Sequence, residues 1–198
     1  MRLDVTALIV AGGRATRFGG VDKRELVIEG RTIFERQVAV LSGRVAEIIV
    51  SSPREVEGFR TVADAIAEVG PLAGIAAGLA AATTPWVLVL AGDMPYVSGA
   101  LVELVLSRIA GDLDAVGIQV NGLPEPLVCA LRCATCAPVV ERRIATGQRK
   151  ASRLLTEGDL RVRWIGDAEL RTVDPELRAL FNVNAPGDVR RAEGEEDP

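Results

Sequence analysis

At 198 residues, with 48% apolar and only 4% aromatic side chains, the chain is sized for one α/β domain with a core of Ala, Val, Leu and Ile. Its net charge of −4 argues against a nucleic-acid binder, which is more often basic. No apolar run reaches the roughly 18 residues of a membrane span. Asp4 interrupts any leader-like run, so a cytoplasmic protein is expected.

Val5–Ala11 reads as a buried strand that ends abruptly at Gly12 and Gly13. A loop carrying Arg14, Arg17, Lys23 and Arg24 follows, then a short extended piece at Leu26–Ile28 and a turn at Gly30. The apolar spacing of Ile33, Val38 and Leu41 predicts a helix over 32–41. Glu47–Ser51 is a second strand and Phe59–Ala63 a short third one. Leu72–Ala82 is a helix apolar enough to be buried. Trp86–Ala91 is a continuous apolar run of the central parallel type. A helix over 99–109 follows, with Ser98 as its N-cap.

The second half is less regular. Asp114–Gln119 and Leu127–Leu131 read as strands around a turn at Asn121 and Gly122. Pro138–Thr146 and Ala151–Leu155 read as helices, Arg161–Ile165 as a strand, and Pro186 opens a short final helix. Strands alternating with helices predict a three-layer α/β/α, Rossmann-like domain over 1–190, with a mostly parallel central sheet. The acidic tail over 191–198 is expected to be disordered.

Ligands of such sheets lie beyond the carboxyl ends of the strands. The first strand delivers two glycines and a set of cations to that edge. Glycines let backbone N–H groups approach a polyphosphate, and Arg and Lys supply the counter-charge. Neither G-x-x-x-x-G-K-[ST] nor G-x-G-x-x-G is present. The Trp86–Ala91 strand delivers Asp93 to the same edge, where a carboxylate suits Mg²⁺. Lys23 is the leading phosphate cation, followed by Arg17 and then Arg14. Asp64 either binds a base or ribose or caps a turn. Asn184 is either a weaker metal or phosphate ligand or the cap of the helix at Pro186.

Cys133 and Cys136 have metal-type spacing, but there is no second pair. Histidine is absent from the chain. Buried or half-buried thiols are therefore expected at Cys129, Cys133 and Cys136. The lack of histidine also excludes Ser-His-Asp and Cys-His devices. A phosphate monoester, close to doubly charged at neutral pH, needs no protein base to attack.

Taken together, the segment from Leu8 to Lys23, the sequence Gly92-Asp93-Met94-Pro95, the run Gly70–Gly74 and the late Asn182-Val183-Asn184 resemble the molybdenum cofactor guanylyltransferase family, within a wider group of nucleotidyltransferases. The resemblance spans roughly residues 5–190. It implies transfer of GMP from GTP to the terminal phosphate of molybdopterin, with Mg²⁺, or Mn²⁺ in its place, as the metal. It puts the nucleotide on Ala11, Gly12, Gly13 and Lys23 in the N-terminal half, guanine near Asp64, the metal on Asp93, and the acceptor in the C-terminal half. Molybdoenzymes or other cofactor-biosynthesis proteins would be its protein partners. Two positions depart from the family pattern. Arg24 and Glu25 follow the lysine where a small or apolar residue is usual, and Glu125 stands where relatives often carry histidine. Sister readings are a molybdenum cofactor cytidylyltransferase and a sugar- or polyol-phosphate nucleotidyltransferase. A non-catalytic nucleotide- or pterin-binding protein is the reading from another class.

Overall fold

The computed structural model describes residues 2–11, 22–63, 70–157 and 160–192. The elements in chain order are β1 (Arg2–Val10), β2 (Val27–Ile28), β3 (Arg31–Thr32), α1 (Ile33–Leu41), β4 (Val45–Ser51), β5 (Arg60–Val62), α2 (Pro71–Ala81) and β6 (Trp86–Ala91). They continue with α3 (Gly99–Ser107), β7 (Ala115–Val120), β8 (Leu123–Arg132), α4 (Cys133–Ala145), β9 (Val162–Ile165), α5 (Asp167–Leu170) and α6 (Pro186–Ala192). The N-cap expected at Ser98 forms, and Thr32 caps α1 instead of opening it. The Thr32 hydroxyl accepts from the Glu35 amide in a full capping box, and Ser98 accepts from the Leu101 amide. These close otherwise orphaned N–H groups at the helix starts.

Seven strands form one sheet in the order β5-β4-β1-β6-β8-β7-β9. β4, β1 and β6 are parallel neighbours, as are β4 with β5 and β7 with β9. β8 runs antiparallel to both β6 and β7. The carboxyl ends of β1, β6, β7 and β9 therefore share one edge with the amino end of β8. β6 is thus parallel to one neighbour and antiparallel to the other, which an apolar run cannot reveal because both of its faces are buried either way. One core packs β1, β6 and β7 against α3, with Leu101 and Val105 fully covered. The other packs the opposite face against α2 and α4, through Leu72, Ile75 and Val140. α2 lies so close to β1 that a Cβ at Gly78 would collide with the Leu8 side chain.

The largest differences from the sequence expectation lie in the second half. α4 begins at Cys133, five residues before Pro138. Its start is set by the Arg132 amide donating to Asp114 O and the Cys133 amide to Pro85 O, both 2.9 Å. Tertiary backbone bonds thus carry the helix through a proline that would otherwise open it. Ala151–Arg153 is a 3-10 turn instead of an α-helix. β8 starts at Leu123, because the turn at Asn121, with φ of 50°, zips the hairpin tightly. All three cysteines are free. Burial pushes the Cys136 thiol up to about 11 and Cys129 further still, and Cys136 Sγ donates to Asp114 O at 3.2 Å. Cys129 and Cys136 are inert core thiols, and Cys133 is half-buried at the start of α4.

Candidate active site

The chain after β1 and the chain after β6 are tied together at the carboxyl edge. The Gly92 amide donates to Val10 O at 2.9 Å, and the Ala11 amide donates to Ser51 O at 3.0 Å. The Ala11 N–H is thus used by the fold, so a ligand would meet this residue through its carbonyl or methyl group. Gly12, Gly13, Arg14 and Arg17 lie outside the described residues, as does Asp64.

Three of the sequence-predicted residues converge from segments far apart in the chain. Lys23 Nζ donates to Asp93 Oδ2 at 2.9 Å and to Asn184 Oδ1 at 3.1 Å. The Lys23 and Asp93 side chains are about a quarter exposed, at 26% and 22%, so a ligand can reach both. Asn184 does not cap α6 with its side chain. Asp188 performs that task, accepting from the Asn184 and Ala185 amides at 2.7 and 2.8 Å. The Asn184 amide oxygen is thereby left to face Lys23. Arg191 pairs with the same Asp188 carboxylate. The Val183 amide also donates to Asp93 O at 2.9 Å, stitching this late segment onto the loop after β6.

The departure at Arg24 has a structural answer. Its guanidinium is buried at 6% exposure, donates to both Asp22 carboxylate oxygens and to Ser52 Oγ at 3.2 Å, and sits 5.7 Å from the Phe34 ring centroid. Asp22 in turn caps the 3-10 turn over Lys23–Glu25. The fork and stack are what Arg offers and a small residue cannot. They pin the turn that presents Lys23.

Gln37 escaped the sequence reading. It is 1% exposed on the inward face of α1, in line with Ile33 and Leu41. Its Nε2 donates to Ala91 O at 2.7 Å and to Met94 O at 3.1 Å, clamping the segment that carries Asp93 from both sides. An amide at i+4 between two apolar core residues is the signal that could have found it.

Glu125 belongs to this neighbourhood. Burial lifts its carboxyl above the ordinary range, and the charge of Asp93 adds to the lift. The run Gly70–Gly74 forms the start of α2, with Pro71 at its first position and no side-chain cap.

A lysine, a carboxylate and an amide oxygen gathered at the carboxyl edge of an α/β sheet make a site for phosphate chemistry, of the class that nucleotidyltransferases use. Comparison with known proteins gives the family of the chain. Residues 7–162 match the family model described as MobA-like NTP transferase domain. The chain is 31% identical over 193 residues to the molybdenum cofactor guanylyltransferase of Desulfosudis oleivorans, covering 96% of this chain and 94% of that one. It superposes on the crystal structure of molybdopterin-guanine dinucleotide biosynthesis protein A from Archaeoglobus fulgidus with a TM-score of 0.79, at 27% identity, over 96% and 97% of the two chains. The fold is shared with the 2-C-methyl-D-erythritol 4-phosphate cytidylyltransferase of Thermus thermophilus, with a TM-score of 0.71 at 23% identity over 97% and 98% of the chains. The chain belongs to the MobA-like NTP transferase family, among the molybdenum cofactor guanylyltransferases.

Proposed function

We propose that this protein transfers GMP from GTP to the terminal phosphate of molybdopterin, releasing pyrophosphate and forming the guanine dinucleotide cofactor. The observation that carries the reading is the convergence of Lys23, Asp93 and Asn184 at one point, in a chain related over almost its whole length to guanylyltransferases.

Lys23 is the cation that neutralises charge on the triphosphate as the phosphorus–oxygen bond breaks. Gly12 and Gly13 amides and the Arg17 guanidinium are assigned to the same phosphates, and Asp64 to the guanine. The acceptor phosphate attacks the α-phosphorus unaided by a base, which suits a chain without histidine. The donors here are hard oxygens, from the Asp93 carboxylate and the Asn184 amide. That set fits Mg²⁺, which binds through one or two carboxylates plus substrate phosphates, with Mn²⁺ as a substitute. Bound there, the metal supplies charge neutralisation and alignment of phosphate oxygens. The N-terminal half holds the nucleotide and the C-terminal half the acceptor.

The test is pyrophosphate release with GTP, CTP or ATP, in the presence of Mg²⁺ and molybdopterin. Release that needs GTP, the pterin and Asp93, and disappears in Asp93→Asn, is the expected result. Release with CTP in preference to GTP overturns the guanylyl assignment while keeping the mechanism. No release with any nucleotide overturns the catalytic reading.

A further inference from the structure

The bend that presents Asp93 is held by its main chain. β6 ends at Ala91, and the chain turns through Gly92, Asp93 and Met94 before Pro95. The Gly92 amide donates to Val10 O, and the Val183 amide donates to Asp93 O, both at 2.9 Å. These two bonds are backbone to backbone. The carbonyls of Ala91 and Met94, on either side of Asp93, are served differently. One side-chain amide, Gln37 Nε2, donates to Ala91 O at 2.7 Å and to Met94 O at 3.1 Å. Met94 is buried, as Gln37 is, so the clamp lies in the core and out of water.

Packing does not account for glutamine at this position. Gln37 stands between Ile33 and Leu41 on the buried face of α1. Its Oε1 is buried and has no hydrogen-bond partner among the described residues. An acceptor left so loses its bonds to water and gains none in the protein. An apolar side chain such as methionine would fill a similar volume without that loss. What it lacks is the pair of donors. The two carbonyls require the NH₂ end of the amide to face them, which leaves the oxygen as the orphan.

α1 also reaches the segment that carries Lys23. Phe34, three residues before Gln37, lies 5.7 Å from the guanidinium of Arg24, the residue after Lys23. The Ile33 amide donates to Leu26 O, and Arg36 Nε donates to Ile28 O, both at 3.0 Å. The first turn of the helix therefore grips the chain just after Lys23, and the second grips the bend around Asp93. The 2.9 Å contact between Lys23 and Asp93 joins the two segments that this helix holds.

We infer that Gln37 is a positioning residue for the reaction. Acting through the Ala91 and Met94 carbonyls, it fixes the bend that aims the Asp93 carboxylate at Lys23 and at a divalent metal. It touches no substrate. Partners that orient a metal ligand from behind commonly govern metal affinity or activity by about 10–100-fold. The inference rests on the assignment of Asp93 to the metal in nucleotidyl transfer.

The experiment uses the full chain and three variants. Gln37→Met keeps the length of the side chain and removes both donors. Gln37→Glu, whose buried carboxyl takes up a proton, keeps one. Ile33→Val trims the same face of α1 one turn away and leaves the clamp untouched. Pyrophosphate release with GTP, Mg²⁺ and molybdopterin gives kcat and KM. Separately, Mn²⁺ is titrated into equimolar protein and GTP without acceptor. The electron paramagnetic resonance signal of the free ion is read against Asp93→Asn as the blank. The expected result for Gln37→Met is a fall of about 10–100-fold in kcat and in Mn²⁺ affinity, with KM for GTP within about twofold. Gln37→Glu shows a smaller loss of both, and it decides alone if Gln37→Met does not fold. Ile33→Val keeps both values. An unchanged kcat or an unchanged Mn²⁺ affinity in the deciding variant overturns the inference. The same fall in Ile33→Val overturns it too, because loosening α1 would then suffice. A rise in KM for GTP as large as the fall in kcat also overturns it. If the unsubstituted protein transfers no nucleotide, the transfer reading fails and Mn²⁺ affinity decides alone. A drop in the Gln37 variant then keeps the positioning role. No drop, or no binding above the blank in the unsubstituted protein, removes it.

Discussion

The sheet has two halves built on different plans. From β5 to β6 every neighbour is parallel, so the strands spend their interiors on core and deliver chemistry only where they end. Lys23 and Asp93 are both of this kind, each standing in a loop or turn at the carboxyl edge. From β8 to β9 the antiparallel strand brings its amino end to that same edge. There the amino end of β8, just past a tight hairpin turn, supplies Pro124 and Glu125, and the carboxyl ends of β7 and β9 supply Gln119 and Trp164. The parallel half thus concentrates charge at a point, while the antiparallel half spreads a shallow, mixed surface. Concentrated charge of the first kind suits a phosphate ligand.

The sharpest way to test this division is to remove the charge. Lys23→Ala is expected to lower kcat by about 10²–10³, as for loss of one electrostatic stabiliser. Steady-state kinetics checks this, and an unchanged rate removes Lys23 from the chemistry. The next test uses two buried glycines, one in each half. Gly78→Ala forces α2 off Leu8 and is expected to cost about 1–3 kcal/mol of stability, read by denaturant unfolding, with molybdopterin KM unchanged. Gly117→Ala pushes Trp164 and Leu155 aside and is expected to raise molybdopterin KM several-fold, with GTP KM unmoved. If either glycine variant alters both substrates equally, the halves do not work separately.

The smallest effect concerns the late segment that returns to the parallel half. Burial alone would raise the Asp188 carboxyl, but hydrogen bonds from the Asn184 and Ala185 amides and from Arg191 outweigh it and hold the group below 3.8. A depressed folded value means that its contribution is present above the unfolded value and is lost as pH falls through the folded one. Asp188→Asn is therefore expected to cost about 1 kcal/mol at neutral pH. Its deficit against the unsubstituted protein should shrink below pH 3.8, as measured by urea unfolding across pH.

Much of the parallel half was legible in the sequence. The apolar run at Trp86–Ala91 and the cap-and-period pattern of α1 and α3 are local signals, and the strand ends told where Lys23 and Asp93 would stand. The antiparallel half was harder to read. α4 starts where Asp114 and Pro85 offer carbonyls, against the local sense of Pro138. There, a cleft of about 270 Å³ is assembled from segments as distant as Gln119 and Trp164.

What the sequence determined by itself was the chemistry available and the order of the layers. It supplied glycines and cations after one apolar strand, a carboxylate after another, and no histidine with which to build a base. Those features are read locally because hydrophobic period, capping and turn preference act over a few residues. The tertiary structure alone decided which of them meet. It brought Asn184 to Lys23 across 161 positions of chain, set Gln37 behind Asp93, and gave Asp188 the capping role that freed the Asn184 side chain. Such pairings are fixed by how helices pack on a twisted sheet and by the pull of buried carbonyls and carboxylates for donors, and neither constraint has a signature in a stretch of neighbouring residues.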